Sequence, residues 1–291
     1  MNKLLKMTDE KYFALKEYIN ASMLKTLHSK SDMHLDAFKG NKSTNFGSLC
    51  HTYILEKELF KAVVIPEFKP EDKKNVEKYM LTDLLGKMTG EVDSNFRRTK
   101  EYKDMVEQFE TEHSDIISAA DMEKLEIIEQ NIQGLPNNYY EMYLTGGQAE
   151  LVGLVDNMRV KLSDDKEITA KVKVKFDYIK EIDGVVYITD LKTTQDASLW
   201  GFKSSLRKFG YDIQGAVYVD AARELFKGKK IVFQFLAVES EYPFAPAWYK
   251  LSVETYLEGL HKYSSVIERA DAIKHGAPKI GYPASQRMGM V

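Results

Sequence analysis

Residues 175–192 read KFDYIKEIDGVVYITDLK, two alternating stretches that meet at Asp183-Gly184. An Asp-Gly pair between alternating residues is the strongest short-range signal for a β-hairpin closed by a two-residue turn. With the turn at 183 and 184, Ile182 pairs with Val185. Counting back along both arms then sets Asp177 opposite Asp190 and Lys175 opposite Lys192. Residues two apart in a strand share a face, so Asp190 and Lys192 also point together.

Facing side chains in such a pair have Cβ atoms about 4.5–5.5 Å apart. Two carboxylates at about 5 Å repel by roughly 3 kcal/mol at an effective dielectric near 20. A shared proton would offset this, and so would a divalent cation; two carboxylates plus water suit magnesium or manganese. Paired acids, a lysine two residues on and such a cation make a constellation that cuts phosphodiesters. The same residues also admit a plainer reading. Lys171, Lys173 and Lys175 can form a solvated face, Asp190 can cap the helix that follows, and a one-residue slip would separate the two acids.

Outward from the hairpin, QAELVGLVDNMRVKL (148–162) and EITAKVKVKFDYIKEI (167–182) extend the meander. Helical patterns follow at 197–209 and 211–226, strand patterns at 230–239 and 245–253, and a last helix over 253–273. The first 150 residues lack strand alternation and read as helices with loops. Ser22 looks like an N-cap, 47–60 has apolar residues at helical spacing, and KAVVIPEFKPEDKKN is a proline-punctuated connector. Residues 73–91 and 100–133 read as amphipathic surface helices, the second stopped at Gly134-Leu135-Pro136. The expected organisation is one domain over 1–291. It has a mainly helical part (1–147), a sheet-containing mixed α/β core (148–273) and a tail (274–291).

Composition is globular, with 44% hydrophobic and 29% charged residues, and no apolar run reaches the eighteen or so residues of a membrane span. The start, MNKLLKMTDEKYF, is too short in apolar residues for a signal peptide, so a cytoplasmic protein is expected. A net charge of −3 does not advertise nucleic-acid binding, though a local basic groove is compatible with it. The single cysteine, Cys50, excludes a disulfide framework, a cysteine zinc site and a four-cysteine iron–sulfur cluster.

The order Glu150, Asp177, Asp190-Leu191-Lys192, then a helix with Gln214 and Tyr218, resembles the PD-(D/E)xK nuclease superfamily, with its restriction-endonuclease-like core of a central mixed sheet flanked by helices. INASMLKTLHSKSDMHLDAFKG and FGSLCHTYILEKELF resemble, in particular, the opening helices of the RecE-type exonuclease VIII group of phages and prophages. The resemblance spans about Ser22 to Val253. It implies a magnesium-dependent DNA exonuclease, with manganese able to substitute. The implied action is 5′-to-3′ on linear duplex ends in a bacterial host cytoplasm, making single-strand tails for recombination. It further implies an annealing protein as partner and a homo-oligomeric ring or tetramer; other polarity, endonuclease action or an inactive DNA-binding module are the alternatives.

Carried over by position, Asp177 and Asp190 would bind metal with the Leu191 carbonyl, and Lys192 would orient or deprotonate water. Glu150 and His51 would complete the metal environment. Gln214 and Tyr218, one turn apart, would support the site or hold DNA, while Arg207, Lys208 and the Lys171–Lys175 face would be the nearest basic groups for backbone contacts. The proline usual before the first acid is absent, since Lys175-Phe176 precede Asp177. Glu150 reads equally as a strand-edge charge, His51 as a structural histidine, and Gln214 and Tyr218 as ordinary helix residues.

Overall fold

A computed structural model describes residues 2–36, 42–60, 63–65, 116–162 and 165–282. Its strands are β1 (Lys3–Lys6), β2 (Val63–Ile65), β3 (Ile116–Ser118), β4 (Gln148–Lys161), β5 (Glu167–Ile182), β6 (Val185–Thr194), β7 (Lys230–Glu239) and β8 (Pro246–Lys250). The helices are α1 (Asp9–Ala14), α2 (Ala21–Ser29), α3 (Lys42–Leu55), α4 (Ala119–Gln133), α5 (Tyr139–Tyr143), α6 (Leu199–Phe209), α7 (Tyr211–Leu225) and α8 (Val253–Lys274). Of the surface helices expected at 73–91 and 100–133, only α4 lies within the described residues.

The main sheet is mixed, with order β1-β4-β5-β6-β7-β8. The β4–β5–β6 meander is antiparallel. A parallel β6–β7 pair needs a crossover, which α6 and α7 supply. The hairpin closes as the sequence requires. Ile182 pairs with Val185, and the register runs without a slip to Tyr178–Thr189. Asp183 and Gly184 have φ of 49° and 77°, the two positive values a type I′ turn demands.

Helices cover both faces. On one, Leu24 and Leu27 of α2, Ile213, Ala216 and Val217 of α7, and Tyr263 and Ile267 of α8 pack on Val172, Val174, Phe176 and Ile188. On the other, Cys50 and Tyr53 of α3 and Leu125, Ile128 and Ile132 of α4 pack on Leu191, Leu236 and Val238. The three α4 side chains recur at helical spacing, and burying each contributes roughly 1.5–3 kcal/mol. Beside α1, Tyr12 and Tyr18 cover Val152 and Leu154 in a third, smaller cluster.

Three local expectations are corrected. KLLK at the N-terminus is a strand, β1, held against β4 by the pairs Lys3–Leu154 to Lys6–Leu151. The connector after α3 contains β2, which pairs in parallel with β3. Asn20, not Ser22, caps α2, since its side chain accepts from Met23 N at 2.8 Å.

Candidate active site

The sidedness of β4 and β5 inverts at one level of the sheet. Leu151 and Phe176 pair and lie in the core beneath α7, whereas Ala149 and Tyr178 pair and lie in the core beneath α3 and α4. Residues two apart on a regular strand share a face, so the chain turns over between them, at Glu150 and Asp177. Glu150 achieves this with φ 54°, a left-handed conformation that costs a non-glycine residue of order 1–3 kcal/mol.

The β5–β6 ladder stops at the same level. Beyond Tyr178–Thr189 the sequence register would pair Asp177 with Asp190, but that rung is not formed. Instead Leu191 donates its main-chain N–H to Asp177 Oδ2 at 2.8 Å. The expected Lys175–Lys192 rung is likewise absent. Lys175 pairs with Val152 on the other side of its strand, and its ammonium lies 2.5 Å from Glu150 Oε2 and 2.6 Å from Asp9 Oδ1.

Into this opening α3 delivers His51, with Nδ1 3.5 Å from Asp177 Oδ2. Gly47, one turn earlier, lets the helix close on β6, because a Cβ there would stand 3.3 Å from Thr193 Oγ1. His51, Glu150 and Asp177 each offer one ligand atom within 4.8 Å of the others. One imidazole nitrogen and two carboxylate oxygens fit a divalent cation. Burial, then the Lys192 charge, pushes the His51 imidazole down to about 4. It is therefore neutral, as a ligand must be, at physiological pH.

Asp190 is not one of the three. It is fully buried, with Oδ1 accepting from Gln214 Nε2 at 2.7 Å and Oδ2 2.5 Å from Lys192 Nζ. Burial pushes its carboxyl up to about 6 against the pull of Lys192. Burial also opposes the Lys192 charge, but Asp190 and Asp177 more than offset it and hold that ammonium above its ordinary range. Lys192 further lies 5.2 Å from the centre of the Tyr211 ring. The Leu191 main chain, next in sequence to Asp190, is thus tied to Asp177 through its N–H.

Tyr218 is buried against Phe176 and Phe233, so it packs behind the site and is not open to DNA. Lys173 is also withdrawn, since its ammonium is spent on the Tyr12 and Leu15 carbonyls at 2.7 and 2.8 Å. Arg207 and Lys208 are exposed on the last turn of α6. They stand outside the cleft of about 1330 Å³ over the cluster, which Lys11, Lys25, Ser48, His51, Glu150 and Phe209 help to line.

Lys25 and Tyr211 were not visible in the sequence as site residues. Lys25 Nζ reaches Gln214 Oε1 at 3.4 Å and lies 5.7 Å from the centre of the Tyr211 ring. Burial, then Lys192, pushes its ammonium down to about 8. Nothing in the spacing of α2 marks a lysine whose partner is 189 residues away.

Residues 15–282 match the family model described as a PDDEXK-like domain of unknown function (DUF3799). The chain belongs to this PDDEXK-like family. A solved structure named "Putative exonuclease" from Eubacterium rectale is 22% identical to this PDDEXK-like chain, covers 99% of it and 94% of itself, and superposes with a TM-score of 0.55. At that identity the likeness concerns the fold. A second, SSO0001, is 14% identical over 84% of this chain and 91% of its own, with a TM-score of 0.28. No curated protein matches the sequence. Among the described residues of the PDDEXK-like domain, no helix is long and apolar enough to cross a membrane.

Proposed function

We propose that the chain is a metal-dependent DNA nuclease, acting as an exonuclease on linear double-stranded DNA. The observation that carries this reading is the convergence of His51, Glu150 and Asp177 within 4.8 Å, beside the buried Asp190–Lys192 ion pair. Membership of a PDDEXK-like family and likeness to a fold named for an exonuclease agree with it.

His51, Glu150 and Asp177 would hold the cation, with Asp190 and the Leu191 carbonyl at its side. A divalent ion there supplies Lewis-acid polarisation of the phosphodiester and acidifies water. Lys192, kept charged by Asp190, is placed to neutralise charge building on the phosphate. Gln214 fixes Asp190, and Lys175 offsets the charge of Glu150 and Asp9. Lys25 brings a second cation to the cleft beside Tyr211.

The finer reading is 5′-to-3′ degradation that leaves single-strand tails for recombination. It includes magnesium as the usual ion, a homo-oligomeric ring or tetramer and an annealing protein as partner, all following the RecE-type resemblance of the sequence. Duplex DNA labelled at either end, incubated with magnesium or chelator, tests it. Loss of the 5′ label first is expected. Loss of the 3′ label first overturns the polarity, internal cuts on closed circles overturn the exonuclease reading, and no metal-dependent loss overturns both. A single monomeric mass with and without DNA would remove the ring.

A further inference from the structure

Helix α6 has the sequence LWGFKSSLRKF, which holds three basic residues and no acid. Phe202 faces inward, where it is buried and stacks on Tyr249 at 5.1 Å. Trp200, Lys203, Ser204 and Arg207 recur at three- and four-residue intervals, so they form one outward stripe, and Lys208 borders it; all five are exposed. Trp200 is 79% exposed, and it is one of two tryptophans in the chain. Lys203 lies 5.5 Å from the centre of its ring, and Lys208 lies 5.2 Å from that of Phe209. Asp196, just upstream, is turned onto the Ser198 N–H at 2.8 Å.

A lone exposed apolar side chain is ordinary on a protein surface. A bare tryptophan on an acid-free helix with three cations is the composition that single-stranded nucleic acid uses, since bases stack on the ring and cations follow the phosphates. Inside a duplex each base is stacked on both faces, so away from its ends a duplex gives Trp200 nothing to stack on. The helix also leads to the site. Phe209, at its C-terminal end, lines the cleft, about 14 Å along the axis from Trp200 at 1.5 Å per residue.

We propose that the outer face of α6 binds an unpaired DNA strand at the mouth of the cleft, with Trp200 stacked on a base and Lys203, Arg207 and Lys208 on successive phosphates. The choice of DNA as ligand rests on the nuclease reading.

The test uses the full chain in chelator, where no cleavage is expected. In a Trp248→Phe variant, Trp200 is the remaining tryptophan, and an oligothymidylate of about 20 nucleotides is titrated against a closed circular duplex at equal nucleotide concentration. The oligothymidylate should quench Trp200 emission, more weakly as salt rises, and the duplex should leave it unchanged. Binding of a labelled oligothymidylate, followed by anisotropy with Trp248 intact, should weaken about tenfold in Trp200→Ala and again in Lys203→Glu/Arg207→Glu. An absent quench, equal quenching by duplex, or unchanged affinity in both variants overturns the proposal. A chain that cuts DNA with magnesium but shows no quench loses this surface alone. One that shows the quench but never cuts keeps the surface and loses the nuclease reading.

Discussion

The Asp177 carboxylate takes the place of a main-chain acceptor, receiving the Leu191 N–H at 2.8 Å where the β5–β6 ladder ends. One side chain therefore closes the sheet edge and presents an oxygen to His51 and Glu150. Its structural role and its proposed metal-binding role are separable by substitution. Asp177→Ala strands a buried N–H and should cost about 1–3 kcal/mol in metal-free denaturant unfolding. Asp177→Asn keeps an acceptor oxygen and should recover most of that stability, while metal-dependent activity falls at least a hundredfold in both. Equal stability of the two variants would contradict the bridging role.

Metal should stabilise the fold. The cluster crowds Glu150 against Asp177, and burial followed by the Asp177 charge holds the Glu150 carboxyl above its ordinary range. An ion bound only by the folded chain adds about 2.7 kcal/mol at a hundred times its Kd. Thermal unfolding with and without magnesium or manganese should show this shift in the wild type and lose most of it in Glu150→Gln and His51→Ala. A wild-type midpoint indifferent to both metals would contradict the site.

In the proposed site Gln214 acts through Asp190, to which its Nε2 donates at 2.7 Å. Removing the Nε2 donor leaves a buried carboxylate oxygen with no partner from α7 and frees Asp190 to turn relative to Lys192. Supporting groups of this kind typically matter 10- to 100-fold. Gln214→Leu should lower kcat by that amount with KM for DNA little changed, and a KM effect alone would contradict a positioning role.

Lys25 makes a pH prediction of definite sign. Its ammonium is depressed from 10.5 to about 8 by burial and Lys192. Below pH 8 folded and unfolded chains both carry the proton, so this group adds no slope. Between about pH 8 and 10.5 the unfolded chain keeps a proton that the folded chain has released, and stability rises with pH. Lys25→Met, which keeps the apolar stem near Gly210, should make the rise shallower; a rise from Lys173 remains, because burial pushes that ammonium down to about 8 as well. Denaturation midpoints at pH 7.5 and 10 check it, and identical slopes for the two proteins would contradict it.

What the sequence disclosed was local. The Asp183-Gly184 turn sets the register from its own two residues, and the strand-like apolar run KIVFQFLAVE coincides with β7 at Lys230–Glu239. Long-range events left no pattern. Strand β1 is four residues long and pairs with a partner some 150 positions away, too short for its alternation to be read. The turnover at Glu150 depends on a left-handed residue that is not glycine, so the register count carried Asp177 one rung too far toward Asp190. His51 came from the resemblance, since a single histidine on α3 has no spacing partner. Lys25 enters the site only through the packing of α2 against α7.

In the proposed function the His51, Glu150 and Asp177 cluster hydrolyses DNA together with Lys192. Release of acid-soluble nucleotides from linear duplex DNA tests it most directly, with magnesium or with chelator, for the wild type beside Asp177→Asn and Lys192→Ala. Magnesium-dependent release by the wild type is expected, with at least a hundredfold less from each variant. Release that persists in chelator, or that both variants match, would contradict it.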